Sequence, residues 1–352
     1  MGASASPAAN GGIGASAPLV SVVIPLYNKE REVERAIRSV LAQTVRDFEI
    51  VVVNDGSTDR GPEIVAGIAD PRIRLFHQDN QGVSAARNRG IAEARSDLIA
   101  FLDADDEWKP CFLEEILRLR AKYPTASVFA TNYLFCDGDG RYSAPGIRGI
   151  PSHPWDGILE DYFAIASRSD PPLWTSAVAV TKAAIGSIGG FPVGVKSGED
   201  LLTWARLALR CQVAYSRLPV AVFWRPQRIE DRPGRHSDGQ DVVGQQLRML
   251  LLGTKGPVRM SLRKYIGRWH KSRVRNFLMS GNPRRAWPAI LSATRFGGLS
   301  VKLAAYAALA LFPGAISRRL LKAALAARQM VRFGHRSTVK LPGRHGKATG
   351  SP

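Results

Sequence analysis

Three short acidic clusters carry the residues whose type and spacing suit chemistry. Asp103-Ala104-Asp105 sets two carboxylates on either side of a small residue, directly after the apolar run that ends at Leu102. Paired carboxylates at a strand end point into the same opening. Such hard oxygen ligands suit Mg2+ or Mn2+, with the other coordination positions left to water and substrate phosphates. A solvated acidic turn capping the next helix has the same composition, so the DxD spacing by itself is a weak signal. Asn54-Asp55 closes a second apolar run, Phe48 to Val53. Further on, Glu199-Asp200 opens an amphipathic segment, where the helix dipole favours a carboxylate whether or not it reacts.

Strand-like and helical segments alternate around these clusters. Leu19 to Ile24 is short, β-branched and stopped by Pro25, as a buried parallel strand would be. Val33, Ala36, Ile37, Val40 and Leu41 then recur at helical spacing between Asn28, read as the N-cap, and Gln43. Phe48 to Val53, Arg72 to His77 and Asp97 to Leu102 read as further strands. Helices fall between them, from Thr58-Asp59 to about Ala69 and from Gly82 to Ala94. This order predicts an α/β fold with an open, mostly parallel sheet and right-handed crossovers. Ligands in such sheets bind beyond the strand C-termini, so Asp55 and Asp103 should face one crevice although 48 residues separate them. Pro110 to Lys122 then suits a helix, Ser127 to Phe135 a strand, Asp137 to Pro154 a loop or hairpin over the site, Trp155 to Ala166 a helix, and Ala177 to Thr181 a strand. The helix opened by Glu199-Asp200 runs to about Arg210 with Leu201, Trp204, Leu207 and Ala208 on its apolar face, and Val213 to Trp224 gives one or two strands.

Taken in order, the segments PLVSVVIPLYNKEREVERAIRSVLAQT, FEIVVVNDGSTD, NQGVSAARNRGIAEA and DLIAFLDADDEW resemble the successive blocks of family 2 glycosyltransferases with the GT-A (nucleotide-diphospho-sugar transferase) fold. The resemblance spans residues 19 to about 225. It implies a nucleotide-sugar donor lying over the strand ends, with Pro25 and Tyr27 shaping the base pocket and Asp55 accepting a hydrogen bond from the base. Arg87 would lie near the nucleotide, and Asp103 and Asp105 would handle ribose and the Mn2+- or Mg2+-bridged diphosphate. The chemistry agrees, since a leaving nucleoside diphosphate gathers negative charge that a divalent cation stabilises. Each residue also has a plainer reading: Tyr27 as a strand-end core aromatic, Asp55 as a turn residue, Arg87 as a solvated helix charge. The resemblance further implies a general base at the Glu199-Asp200 pair, best matched by Asp200, because inverting transfer is one displacement that needs a base and no enzyme nucleophile. Trp108 offers a flat face for the acceptor sugar, whereas Trp204 reads as core. The chain departs from the family where many members carry a YRxH-like segment: it has Phe223-Trp224-Arg225-Pro226, and Arg235-His236 only later. The QxxRW signature of processive synthases is absent.

Charge divides the chain. Its 352 residues carry a net +19, yet Asp241 is the last carboxylate, and the 102 residues from 251 onward hold 21 Lys+Arg and no acid. Their cations alternate with apolar helical stretches such as Leu303 to Phe312. No apolar run reaches the ~20 residues that cross a bilayer, but such segments can lie in the headgroup region beside anionic lipid. A helical subdomain completing the catalytic core and a nucleic-acid patch are the alternatives, and no nucleic-acid motif accompanies the charge. Three cysteines without CxxC spacing support neither a disulfide framework nor a zinc site and point to a reducing compartment. The Gly/Ala/Ser-rich start fits the myristoylation pattern at Gly2 only as a low-complexity stretch would by chance.

The sequence therefore reads as a disordered tail over 1–17, a GT-A domain over 18–235, a basic helical and membrane-interfacial region over 236–332, and a disordered basic tail over 333–352. The expected activity is metal-assisted, inverting, non-processive glycosyl transfer from a nucleotide-sugar, a UDP-sugar first, to a saccharide or lipid-linked acceptor. Its setting would be surface polysaccharide or glycolipid assembly, with the protein cytoplasmic and peripheral on the inner face of the membrane. A nucleotidyltransferase is the rival enzyme, disfavoured by Pro25-Leu26-Tyr27-Asn28 where a Gly-rich phosphate loop belongs. A non-catalytic scaffold that keeps the fold is the other.

Overall fold

The computed structural model describes residues 17–225 and 240–334, with side chains as far as residue 325. The expected linker from Arg225 to Asp241, including His236, and the two expected tails fall almost wholly outside the described residues.

The alternation read from the sequence is present: β1 (Val20–Leu26), α1 (Val33–Leu41), β2 (Phe48–Asp55), α2 (Gly61–Ala66), β3 (Ile73–Gln78), α3 (Val83–Glu93) and β4 (Leu98–Phe101) follow in turn. Next come β5 (Glu107–Trp108), α4 (Phe112–Lys122), β6 (Ala126–Cys136), β7 (Tyr142–Ser143), β8 (Asp156–Ile158) and α5 (Tyr162–Arg168). A 3-10 turn at Thr175–Ala177 leads into β9 (Val178–Thr181), α6 (Lys182–Ser187), α7 (Glu199–Ala208) and β10 (Gln212–Trp224). The C-terminal helices are α8 (Val242–Gly253), α9 (Pro257–Met279), α10 (Pro283–Gly297), α11 (Val301–Leu309) and α12 (Gly314–Gly334).

One sheet runs β3-β2-β1-β4-β9-β6-β10-β5, with β7 beside β6 and β8 beside β10. The N-terminal half of the sheet, β3-β2-β1-β4, is parallel throughout, as is the long β6–β10 pairing, and the short strands pair antiparallel. β1 and β2 are apolar on both faces because helices cover both. α3 lies so close to β1 that a Cβ at Gly90 would stand 2.3 Å from a Val23 methyl, which only a glycine avoids. One buried polar anchor crosses this half: Glu49 accepts hydrogen bonds from Ser21 and the Arg95 N–H and pairs with Arg74. Burial opposes its charge, but these donors win and hold its carboxyl below the usual range.

Three expectations change. α1 starts at Val33, because Asn28 adopts a left-handed backbone (φ 52°) and its side chain accepts the Thr58 N–H, tying β1 to the loop after β2. The expected helix from Trp155 begins as strand β8, paired with β10, and turns helical only after Asp161 caps Ala164. On α7 the buried face includes Leu202 in place of Leu201.

The 235/236 division also does not separate packing units. Val243 and Leu247 of α8 and Leu262, Tyr265 and Ile266 of α9 belong to the same apolar core as β4, α5 and α7. A second core joins the later part of α9 to α10, α11 and α12. Hence the first two C-terminal helices complete the core of the sheet domain, and the following three extend it.

Candidate active site

The parallel strands end on one side of the sheet, and there the sequence-distant acids meet. Asp103, just past β4, is held by Arg87 of α3, whose guanidinium donates to its Oδ1 at 2.7 Å and reaches Glu199 at the start of α7 at 3.2 Å. Arg87 is 3% exposed, so it is no solvated helix charge. Burial would discharge it, but Asp103 and Glu199 hold it firmly protonated. Asp105 pairs instead with Lys29 at 2.7 Å, and its main-chain carbonyl accepts from Arg35. Lys29, disfavoured by burial, is pulled above its ordinary range by Asp105.

The acids outweigh these cations. Burial, with Asp105 and Asp200 nearby, raises Asp103 above the usual carboxylate range despite Arg87, and burial with Asp200 does the same to Glu199. Asp106 is raised further, by complete burial and the charges of Asp105 and Asp103. Asp106 is a support: it accepts from Ser176 (2.5 Å) and the Trp174 indole, and Ser176 in turn accepts the Asp103 N–H. The 3-10 turn thus fixes the acidic loop from below.

Among the described residues no group of three or more His, Cys, Asp or Glu side chains is arranged to hold a metal ion. The donor set nonetheless fits Mn2+ or Mg2+. Asp103 Oδ2 and Asp105 Oδ1 have no hydrogen-bond partner among the described residues. Two carboxylates with the rest left to water and phosphate is how Mg2+-like ions are commonly bound.

The remaining expected residues divide. Tyr27 is 48% exposed at the end of β1, free to meet a ligand and not a core aromatic, and Pro25 lies half-buried beneath it in sequence. Asp55 is 2% exposed and accepts from Gln78, the Gln81 N–H and the Gly82 N–H. Three donors fill most of its acceptor capacity, so it chiefly shapes the loop entering α3. Trp108 is not an acceptor platform: it is 2% exposed, stacked on Phe112, and its indole donates to the Ser176 carbonyl. β5 pairs with β10 so that Glu107 faces outward and Trp108 inward. Trp204 is fully buried against Phe101 and Phe191, as read.

Asp200 keeps one oxygen on the Leu201 N–H, and its other oxygen has no partner among the described residues. Its place is set by α9. The Trp269 ring lies where a Cβ at Gly198 would stand (2.6 Å), Gly198 takes φ 83°, and the Tyr265 hydroxyl donates to the Leu201 carbonyl. Asp241 receives the Trp269 indole and Arg273 and caps α8 through the Gly244 N–H. Sequence reasoning missed Lys29, Ser176 and this buttress. Lys29 was visible three residues before Glu32 as a charge beside the expected site, whereas nothing local marks Trp269 as a neighbour of Gly198.

A parallel β-α half-sheet with acids gathered at its strand ends is the architecture of the GT-A fold. Residues 21–171 match the family described as "Glycosyl transferase family 2". An uncharacterized glycosyltransferase of Rickettsia bellii is 33% identical over 195 residues, covering 54% of this chain and 26% of its own length. The putative glycosyltransferase EpsH of Bacillus subtilis is 43% identical over 103 residues, 29% of this chain and 30% of its own. The chain thus spans between a quarter and a third of the length of these curated relatives. Among solved structures, S. aureus TarS 1-349 in complex with UDP-GlcNAc has a similar fold, with TM-score 0.60 at 17% identity over 90% of this chain and 93% of that one. The mannosyltransferase PcManGT from Pyrobaculum calidifontis, in complex with GDP-Man and Mn2+, gives TM-score 0.54 at 20% identity over 91% and 89%.

Proposed function

We propose that this chain is an inverting glycosyltransferase that moves a sugar from a nucleotide-diphosphate donor to an acceptor hydroxyl, assisted by Mn2+ or Mg2+. The observation that carries the reading is the convergence of Asp103, Asp105, Glu199 and Asp200 on Arg87 and Lys29 at the ends of the parallel strands. Asp103 and Asp105 would hold the divalent ion through their uncommitted oxygens, and the ion would supply positive charge against the diphosphate. Tyr27, exposed at the end of β1, meets the base, and Asp55 shapes the adjoining loop. Arg87 orients Asp103 and Glu199 together. Asp200 takes the acceptor proton, since Glu199 is committed to Arg87 while one Asp200 oxygen is uncommitted. Half-buried Trp174 and Trp224, beside the acidic loop, replace Trp108 as the aromatic faces for the acceptor.

UDP-sugars head the donor series because TarS binds UDP-GlcNAc, and GDP-mannose follows from PcManGT. The acceptor is a saccharide or a lipid-linked glycan in surface polysaccharide or glycolipid assembly, reached by the enzyme from the cytoplasmic surface of an anionic membrane. Transfer or hydrolysis across UDP-, GDP- and dTDP-sugars, with and without Mn2+, tests the reading. Turnover of one donor that needs the ion and disappears in Asp105→Asn supports it. No donor turned over, or turnover indifferent to both, rejects it.

A further inference from the structure

The last three helices bury little of their surface, and what they leave outside is apolar and cationic. α11 faces its own core with Leu303, Tyr306 and Ala310, while its outer side is Val301 (89% exposed), Lys302, Ala304, Ala305 and Ala308. Leu311 is 74% exposed just beyond, and Phe312 46%. α12 buries Ser317 and Leu321 and leaves Ile316 and Leu320, one turn apart, each 45% exposed. Exposed Arg319 and Lys322 lie alongside that stripe. A soluble surface helix ordinarily turns mainly charged and polar residues outward, so an outward side of Val and Ala with the single cation Lys302, followed by Leu311 and Phe312, is a largely apolar exposed face.

Charge decides what covers it. No carboxylate follows Asp241 in the sequence, so every ionised side chain that α11 and α12 themselves carry is cationic. A second copy would bring the same cations against themselves, and an acid-free rim has nothing to neutralise them. Nucleic acid would answer the charge but leave the aliphatic face uncovered. An anionic bilayer answers both, with acyl chains for the aliphatic side chains and headgroups for the cations. None of the helices among the described residues is long and apolar enough to cross a membrane, which leaves lying on its surface as the geometry.

We propose that α11 and α12 form an interfacial platform that docks the protein on anionic lipid, with Val301, Leu311, Phe312, Ile316 and Leu320 entering the headgroup–acyl boundary and Arg319 and Lys322 at phosphate level. The inference rests on the membrane reading above only for its biological setting. The platform packs on the second core, away from the acids, and its binding can be read without a donor.

The test is co-sedimentation of the full chain with phosphatidylcholine vesicles with and without phosphatidylglycerol, across a salt series. Binding should require phosphatidylglycerol and weaken as salt rises. The double variant Ile316→Glu and Leu320→Glu should reduce partitioning at least tenfold. Arg319→Gln with Lys322→Gln should reduce it about twenty-five-fold at low salt, at roughly fivefold per cation. Both pairs are exposed, so thermal unfolding should match the parent and separate lost docking from lost folding. Equal binding to neutral vesicles, unchanged binding by the glutamate variant, or a parent dimer that the glutamate variant dissolves would each overturn the proposal. Failure here leaves donor turnover intact, whereas failure of the donor series leaves vesicle binding intact, so the two readings fall separately.

Discussion

Lys29 and Asp105 meet at 2.7 Å with about a third of each side chain exposed, so this ion pair is worth little to stability and matters for what it occupies. Lys29 shares the carboxylate that would hold the divalent ion in the proposed function. Lys29→Met should therefore tighten Mn2+ binding to the donor-free protein about two- to fivefold, the scale of an exposed pair, as read by titration calorimetry. Weaker binding would mean that Lys29 instead orients Asp105. At the other end of the cluster, Asp200→Asn should lower kcat by about two to four orders of magnitude while leaving donor affinity near the parent value, the signature of a lost proton acceptor. Equal losses in both would transfer the base role elsewhere, with Glu199→Gln the next variant to measure. Asp103 and Asp105 were legible as candidates from type and spacing, whereas Arg87 and the base role of Asp200 came from the resemblance to family 2 glycosyltransferases. Trp108 was misread because burial depends on which face of β5 it occupies, and that is set by pairing with a strand over a hundred residues away.

At the scale of elements, α7 presents the candidate base and α9 holds α7 in place. Gly198→Ala meets both a left-handed backbone and the Trp269 ring, so the segment entering α7 must move. We expect turnover to fall at least tenfold with secondary structure retained, and Trp269→Ala combined with Gly198→Ala to recover part of it. A second prediction concerns the join between α4 and β8. Burial disfavours the charge of Asp156, but hydrogen bonds from Lys122, Tyr123 and Arg118 prevail and lower its carboxyl pKa to about 2. Since this folded pKa lies below the unfolded value, the stabilisation is present above about pH 4 and is lost as pH falls toward 2. Lys122 and Arg118 are more than a third exposed, so Asp156→Asn should cost only about 1 kcal/mol at pH 7 and almost nothing below pH 2 by urea unfolding.

At the scale of the whole molecule, the basic C-terminal third has two parts with different duties. Leu247, Leu262 and Ile266 are 0% exposed within the catalytic core, and burying each is worth about 1.5–3 kcal/mol. Their loss together is comparable with a domain's entire stability of about 5–15 kcal/mol. A chain cut after Gln245 should therefore fail to fold, whereas one cut after Ser280 keeps the catalytic core and loses only the second one. Limited proteolysis and thermal unfolding of the two truncations distinguish these outcomes, and a folded, active protein ending at Gln245 would contradict the assignment of α9 to the catalytic core.

The sequence alone determined the alternating half-sheet and the acids at its strand ends, because apolar periodicity, strand length and turn chemistry are local properties that tertiary packing seldom reverses in long elements. The same locality made Asp103 and Asp105 recognisable, while Glu199-Asp200 stood out as a candidate base only through the family resemblance. Only the tertiary structure decided which cations those acids face, that Trp108 points inward, and that α8 and α9 belong to the catalytic core. These are contacts between residues tens to hundreds of positions apart, fixed by strand pairing and helix packing, and no window of sequence contains both partners.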